Sequence, residues 1–120
     1  MNNDKPIFMR IMDMIEDDIL SGVYKEDELI ISTTQISKLL SVNPTTSVRA
    51  VSILADKGIL NKKRGIGMCV AKGAKEKILS QRKKTFLSET VRAFLAEAEK
   101  LGITENELIQ IMRRNNNDTL

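Results

Sequence analysis

Between Pro44 and Lys57 the chain sets Thr45, Arg49 and Ser52 at spacings of four and three, with Thr46 just off that line. On a helix these residues share a face, with Thr46 at its edge and the apolar Ala50, Val51 and Leu54 behind. Short hydroxyls beside one cation suit base edges and phosphates in a nucleic-acid groove, where long apolar side chains would hold a helix away. Taken alone, the row is also what an ordinary solvated helix face looks like. A few residues on, Lys62-Lys63-Arg64-Gly65-Ile66-Gly67 joins three consecutive cations to two glycines. Backbone as well as charge can then come close to a sugar-phosphate strand or enter a minor groove. The plain alternative is a type I′ or II′ turn with solubilising lysines.

Other chemistries lack their residues. There is no histidine, and Cys69 is the one cysteine, so an intrachain disulfide and the usual zinc sets cannot be built. The commonest general base is missing too. No Gly-rich phosphate cradle, G-x-S-x-G elbow or isolated acidic pair in an apolar setting occurs, so no enzyme activity, cofactor or metal is expected. The net charge of +3 is concentrated: Lys and Arg against Asp and Glu number 6 to 9 over residues 1–58, 9 to 1 over 59–84, and 4 to 6 over 85–120. A basic block between two mildly acidic ones is either a footprint for a polyanion or a solvated helix face. No apolar run approaches the ~20 residues that span a bilayer. The first residues are polar and Ile7–Leu20 is broken by acids, so a signal peptide is not indicated and a cytoplasmic location is expected.

The elements that must hold these groups follow from periodicity and capping. Pro6 starts a helix with Ile7, Ile11, Ile15 and Ile19 at intervals of four, widened by Phe8, Met12 and Leu20, ending at Ser21-Gly22. Leu29-Ile30-Ile31 is long enough for a minimal strand. Ser32 with Gln35 forms a capping box for a second helix, Ile31 can staple to Ile36, and Ile36, Leu39 and Leu40 make its apolar face. Asn43 caps a third helix with Pro44 in its first turn and Ala50, Val51, Leu54 and Ala55 buried; Gly58 ends it. Ile59-Leu60 and Met68-Cys69-Val70 flank the basic tip as a hairpin, the wing of a winged helix-turn-helix. From Ala74 an amphipathic helix carries Ile78, Leu79, Phe86, Leu87, Val91, Phe94, Leu95, Ala98 and Leu101 as far as Gly102. Thr104 and Glu107 box a last short helix, Ile103 staples to Leu108, and Ile111 and Met112 continue its stripe. Asn115 to Leu120 read as a frayed tail.

These residues resemble the DNA-binding domain of GntR-type regulators over residues 6–71. The resemblance rests on Pro6-Ile7, Ile19-Leu20-Ser21-Gly22, Ser32, Val42-Asn43-Pro44, Thr46, Arg49-Ala50 and Arg64-Gly65-x-Gly67-x-x-Val70. The short tail is similar to the YtrA-like subgroup. The chain departs from the family at Glu26, Asp27 and Ile31. At Thr34 the family carries a phosphate-contacting arginine, and threonine lacks that charge. Ser47 takes a usually apolar site and Val48 the outward one; Val48 either meets a thymine methyl or accompanies a repacking of the helix, the plainer of the two. Cys69 is expected to face the interior as a small hydrophobe, with redox sensing the lesser alternative. The resemblance implies a bacterial repressor, often of a transporter operon.

The expected fold is mainly α with a small β wing: a winged helix-turn-helix DNA-binding domain over 1–71 and a two-helix dimerisation tail over 72–120. DNA contacts fall to Ser32, Thr34, Asn43, Thr45, Thr46, Arg49, Ser52, Lys62, Lys63, Arg64, Gly65 and Gly67. A tail stripe that a 71-residue domain cannot cover points to a second copy, through Phe86, Leu87, Val91, Phe94, Leu95, Ala98, Leu101, Leu108, Ile111 and Met112. The expected partners are thus a palindromic double-stranded DNA operator and a homodimer mate, with no membrane; a small-molecule effector stays unassigned. The rival reading is a winged-helix protein–protein module without DNA binding, whose third helix would be apolar. RNA binding is disfavoured because three Phe, one Tyr and no Trp leave few stacking platforms.

Overall fold

The computed structural model describes residues 4–118. Helices α1 (Ile7–Leu20), α2 (Thr33–Leu40) and α3 (Pro44–Asp56) precede strands β1 (Leu60–Lys63) and β2 (Gly67–Val70). Helix α4 (Ala74–Thr85), a π turn (Phe86–Thr90), α5 (Val91–Lys100) and α6 (Glu105–Asp118) complete the chain. The architecture is mainly helical with one two-stranded antiparallel sheet, a winged helix-turn-helix followed by C-terminal helices. It divides into two compact units, one ending at Gln81 and one beginning at Arg82. No helix among the described residues is long and apolar enough to cross a membrane.

In the first unit α3 packs against α1, α2 and β1. Pro6, with φ fixed at −55°, sits just ahead of α1 and its carbonyl accepts from the Met9 and Arg10 amides. Ile11, Met12, Ile15 and Ile19 are buried as the stripe predicts, but Ile7 is exposed. A row at intervals of four drifts about 40° per step on a 3.6-residue helix, and one turn before Ile11 and Met12 the inward direction has passed to Phe8. Phe8 does pack on the core. The same geometry corrects α2. Its buried pair is Ile36 and Ser37, so the inward direction lies between them and Leu39 points away into solvent; Leu40, at the helix end, is exposed too.

The local start signals hold atom by atom. The Ser32 hydroxyl accepts from the Gln35 amide at 3.1 Å while the Gln35 carboxamide oxygen accepts from the Ser32 amide at 2.9 Å. Ser41 ends α2 in the left-handed region, and Asn43 caps α3 directly afterwards. In the wing, Leu60 pairs with Val70, Asn61 with Cys69, Lys62 with Met68 and Lys63 with Gly67. The Leu29-Ile30-Ile31 segment joins this ribbon as a single bridge, Leu29 to Cys69, rather than as a strand. The Ile30 amide donates to Met68 and the Val70 amide to Glu28, so the free edge of β2 is covered. Cys69 is buried beneath it with a free thiol.

Ala74 and Ile78 of α4 lie within the core cluster of Ile36, Leu54, Leu60 and Val70, both at 0% exposure. The first turns of α4 therefore belong to the first unit, several residues past the division at 71 that the motifs suggest. The tail's long helix is not a uniform α-helix either. Thr85, Thr90 and Val91 keep right-handed helical angles, but residues 86–90 wind as a π turn with no proline or glycine in Phe86-Leu87-Ser88-Glu89-Thr90 to mark it. In the second unit Gly102, at φ +72°, breaks the chain before α6. The Glu107 carboxylate accepts from the Thr104 amide at 3.0 Å, and the Thr104 hydroxyl accepts from the Glu107 amide at 3.2 Å. Once nucleated there, α6 propagates through Asn115 and Asn116 to Asp118, where composition alone predicts a frayed end. Thr119 and Leu120 lie outside the described residues.

Candidate nucleic-acid interface

The third helix presents its polar face as the spacing requires. Thr45, Arg49 and Ser52 are exposed, Thr46 is half-buried, and Ala50, Val51 and Leu54 are buried behind them, with Ala55 partly so. Two of these side chains are already oriented within the first unit. The Asn43 carboxamide oxygen accepts from the Thr45 amide at 3.0 Å and from the Thr45 hydroxyl at 2.8 Å. The threonine hydrogen is thereby committed, and what Thr45 offers outward is a pair of acceptor lone pairs. The Arg49 guanidinium lies 3.9 Å from the ring centroid of Phe8, a cation–π stack that restrains a long cationic arm. The sequence places Phe8 in the core stripe of α1; nothing in its local pattern signals that its ring also carries Arg49.

One position later than Thr46 the helix buries a hydroxyl. Ser47 is 0% exposed, and its Oγ lies 2.8 Å from Ser37 Oγ on α2. Val48 takes the outward place at 49% exposure. The unusual serine is legible in the sequence, since it stands at a core position, but its partner Ser37 is not. A buried hydroxyl that needs a partner is the available signal.

At the helix two start, Ser32 and Thr34 are exposed beside the cap, with the Ser32 hydroxyl engaged by Gln35. At the wing tip Lys62, Lys63, Arg64, Gly65, Ile66 and Gly67 are all exposed. The turn is neither type I′ nor type II′. The Ile66 amide donates to the Lys63 carbonyl at 3.0 Å, with positive φ at Gly65 (+75°) and not at Arg64, the type II signature. A Cβ on Gly65 would meet nothing within 4 Å, so its backbone angle and not crowding asks for glycine. Because strand residues alternate, Lys62 and Lys63 project from opposite faces of the ribbon, and Arg64 follows in the turn.

The basic block seen in the sequence is divided between the units. Lys62, Lys63, Arg64, Lys72, Lys75 and Lys77 fall in the first, Arg82, Lys83 and Lys84 in the second. Lys77 is partly spent internally, its ammonium donating to the Gly58 carbonyl at 3.2 Å. An open groove of about 420 Å³ lies beside it, lined by Lys57, Ile59, Glu76, Lys77, Ser80 and Gln81. No cluster of metal-ligating side chains occurs among the described residues.

In the second unit the tail residues sort by exposure. Phe86, Leu87, Phe94, Leu95, Leu101, Ile111 and Met112 stand in solvent, and Val91 and Leu108 are half-buried. Ala98 is buried and offers no surface to a partner. Helices whose apolar residues stay this exposed form the kind of patch that marks an interaction surface.

No protein-family model matches the chain, and no curated protein matches its sequence. Among solved structures it is similar to a transcriptional regulator of the GntR family from Bacteroides thetaiotaomicron, at 36% identity and TM-score 0.80, over 96% of this chain and 100% of that one. It shares the fold of YtrA from Sulfolobus acidocaldarius, a GntR-family transcription factor, at 20% identity and TM-score 0.53, over 98% and 94% of the two chains. It also shares the fold of Streptococcus agalactiae BusR in complex with its busAB-promotor DNA, at 24% identity and TM-score 0.56, over 91% of this chain and 58% of that one.

Proposed function

The chain belongs to the GntR family of transcriptional regulators, and from that membership we propose that it represses transcription by binding a palindromic DNA operator as a homodimer. The observation that carries the DNA reading is the polar face of α3. Thr45, Thr46, Arg49 and Ser52 line it, Thr45 and Arg49 are held by Asn43 and Phe8, and a wing tip carrying three exposed cations follows in the same unit. In this reading α3 enters the major groove, its hydroxyls and Arg49 meet base edges, and Lys62, Lys63 and Arg64 neutralise phosphates with Gly65 and Gly67 letting the backbone approach. Ser32, Thr34 and Asn43 add contacts to the sugar-phosphate backbone. A protein–protein module on this scaffold would present an apolar third helix; here Val48 is the exposed apolar exception on an otherwise polar face.

The dimer reading is supported by the second unit, whose exposed Phe86, Leu87, Phe94, Leu95, Leu101, Ile111 and Met112 leave apolar surface in water that a second copy would cover. Residues up to Gln81 then serve as the DNA-binding part and the rest as the dimerisation part. Because one subunit reads one half-site, two-fold symmetry makes the operator palindromic. The test is a mobility-shift titration on DNA from upstream of the chain's own gene, run across a salt series with random DNA as competitor. The proposal expects a specific complex whose log K falls linearly with log salt. Binding that ignores sequence, or no binding, refutes it.

A further inference from the structure

Helix α3 turns a serine inward and a valine outward, and the interior of the first unit is built to accept this. Ser47 is fully buried against α2, and its hydroxyl meets Ser37 Oγ at 2.8 Å. Among the described residues no buried side-chain nitrogen or oxygen lacks a partner, so the inward serine is compensated and the helix has no cause to rotate Val48 inside. Val48, at 49% exposure, thus stands on the polar face, one turn after Thr45, beside Arg49 and one turn before Ser52. Its neighbours are fixed: Thr45 by Asn43 and Arg49 by Phe8. Two methyl groups are held at a defined place among hydroxyls and a guanidinium.

Of the groups that base pairs display in the major groove, the thymine C5-methyl is the apolar one. A valine against it buries apolar surface on both sides, whereas a valine against a purine N7 or a cytosine amino group strips water from a polar edge and returns no hydrogen bond. We propose that Val48 is a specificity-determining residue that selects thymine, through its methyl group, at one position in each copy of the recognised sequence. This rests on the DNA-binding reading above and adds to it the base class that one residue reads.

The test begins with DNA enriched from a random library by the full-length protein. Each thymine of the enriched sequence is then replaced singly by deoxyuridine, which removes one methyl and keeps every hydrogen-bonding group. At one thymine position in each copy of the recognised sequence the native protein should lose about fourfold in affinity, the equivalent of one buried methyl group. Val48→Ala should bind the thymine and uracil forms of that site equally, and Val48→Thr, which keeps one methyl, should retain part of the difference. Unchanged thermal melting of both variants shows that the fold is intact. A native protein indifferent to every uracil, or a Val48→Ala variant that still loses the same factor at the same position, overturns the assignment while leaving DNA binding standing. Failure to enrich any sequence overturns the DNA-binding reading and this proposal with it.

Discussion

Where the chain is cut decides whether the tail can be tested at all. Motif reading places the end of the DNA-binding part at Ala71, yet Ala74 and Ile78 are completely buried in the core of the first unit. Removing an interior isoleucine alone costs about 2–5 kcal/mol, a large share of the roughly 5–15 kcal/mol that holds a domain folded. A chain ending at Ala71 should therefore be unstable, and one ending at Gln81 should fold. Within the full chain, Phe94→Glu with Leu95→Glu tests the same surface by charge. These side chains are 55% and 51% exposed. Covering the exposed half of each returns roughly 1 kcal/mol, and a two-fold interface counts each twice, so the double variant removes roughly 3–6 kcal/mol and weakens dimerisation about 100- to 10,000-fold. Sedimentation equilibrium reads the dimer constant, and titration on the selected operator reads its consequence. Both the Gln81 truncation and the double variant should become monomeric and lose the avidity of two linked half-sites, roughly 100- to 10,000-fold, while keeping weak, salt-sensitive binding. A protein ending at Gln81 that stays dimeric with undiminished operator affinity would place the dimer contacts in the first unit and refute the assignment of the tail.

Replacing Lys62, Lys63 and Arg64 together by alanine should weaken operator and random DNA alike and flatten the log K against log salt slope by roughly one unit for each phosphate no longer neutralised. Phe8→Ala frees Arg49 from its ring and should cost about 0.5–1 kcal/mol of operator binding, whereas Phe8→Tyr should retain it; fluorescence anisotropy compares the two. Ser47→Ala strands the Ser37 hydroxyl in the interior and should lower stability by about 1–3 kcal/mol in urea titration, with Ser37→Ala/Ser47→Ala recovering part of the loss. The Glu107 carboxyl is held below its ordinary value of 4.5 by the Thr104 amide and then the Thr104 hydroxyl. Its contribution to α6 is present above the ordinary carboxylate value and is lost as pH falls through the lowered one, so carbon-detected NMR should find a depressed midpoint that Thr104→Ala raises.

What the sequence shows most clearly is what neighbouring residues decide among themselves. Ser32 with Gln35, Asn43 with Pro44, and Thr104 with Glu107 each lie within one turn of chain, and each forms the predicted cap. Alternation and turn residues likewise locate the wing. Errors begin where a pattern of fours is treated as a straight line, as at Ile7, or where two leucines outvote the neighbour that sets the buried direction, as at Leu39. The π turn at 86–90 and the type II geometry at Gly65 have no residue signature that separates them from the regular alternatives. The candidate site itself divides along the same line. Which helix face is polar follows from local spacing, but the aim of Arg49 depends on Phe8 in another helix, and the outward place of Val48 depends on Ser37 receiving Ser47. Those pairs join residues far apart in the chain, so their side-chain chemistry can be named in advance while their pairing cannot. Specificity in such a surface resides less in which residues α3 carries than in what α1 and α2 allow them to present.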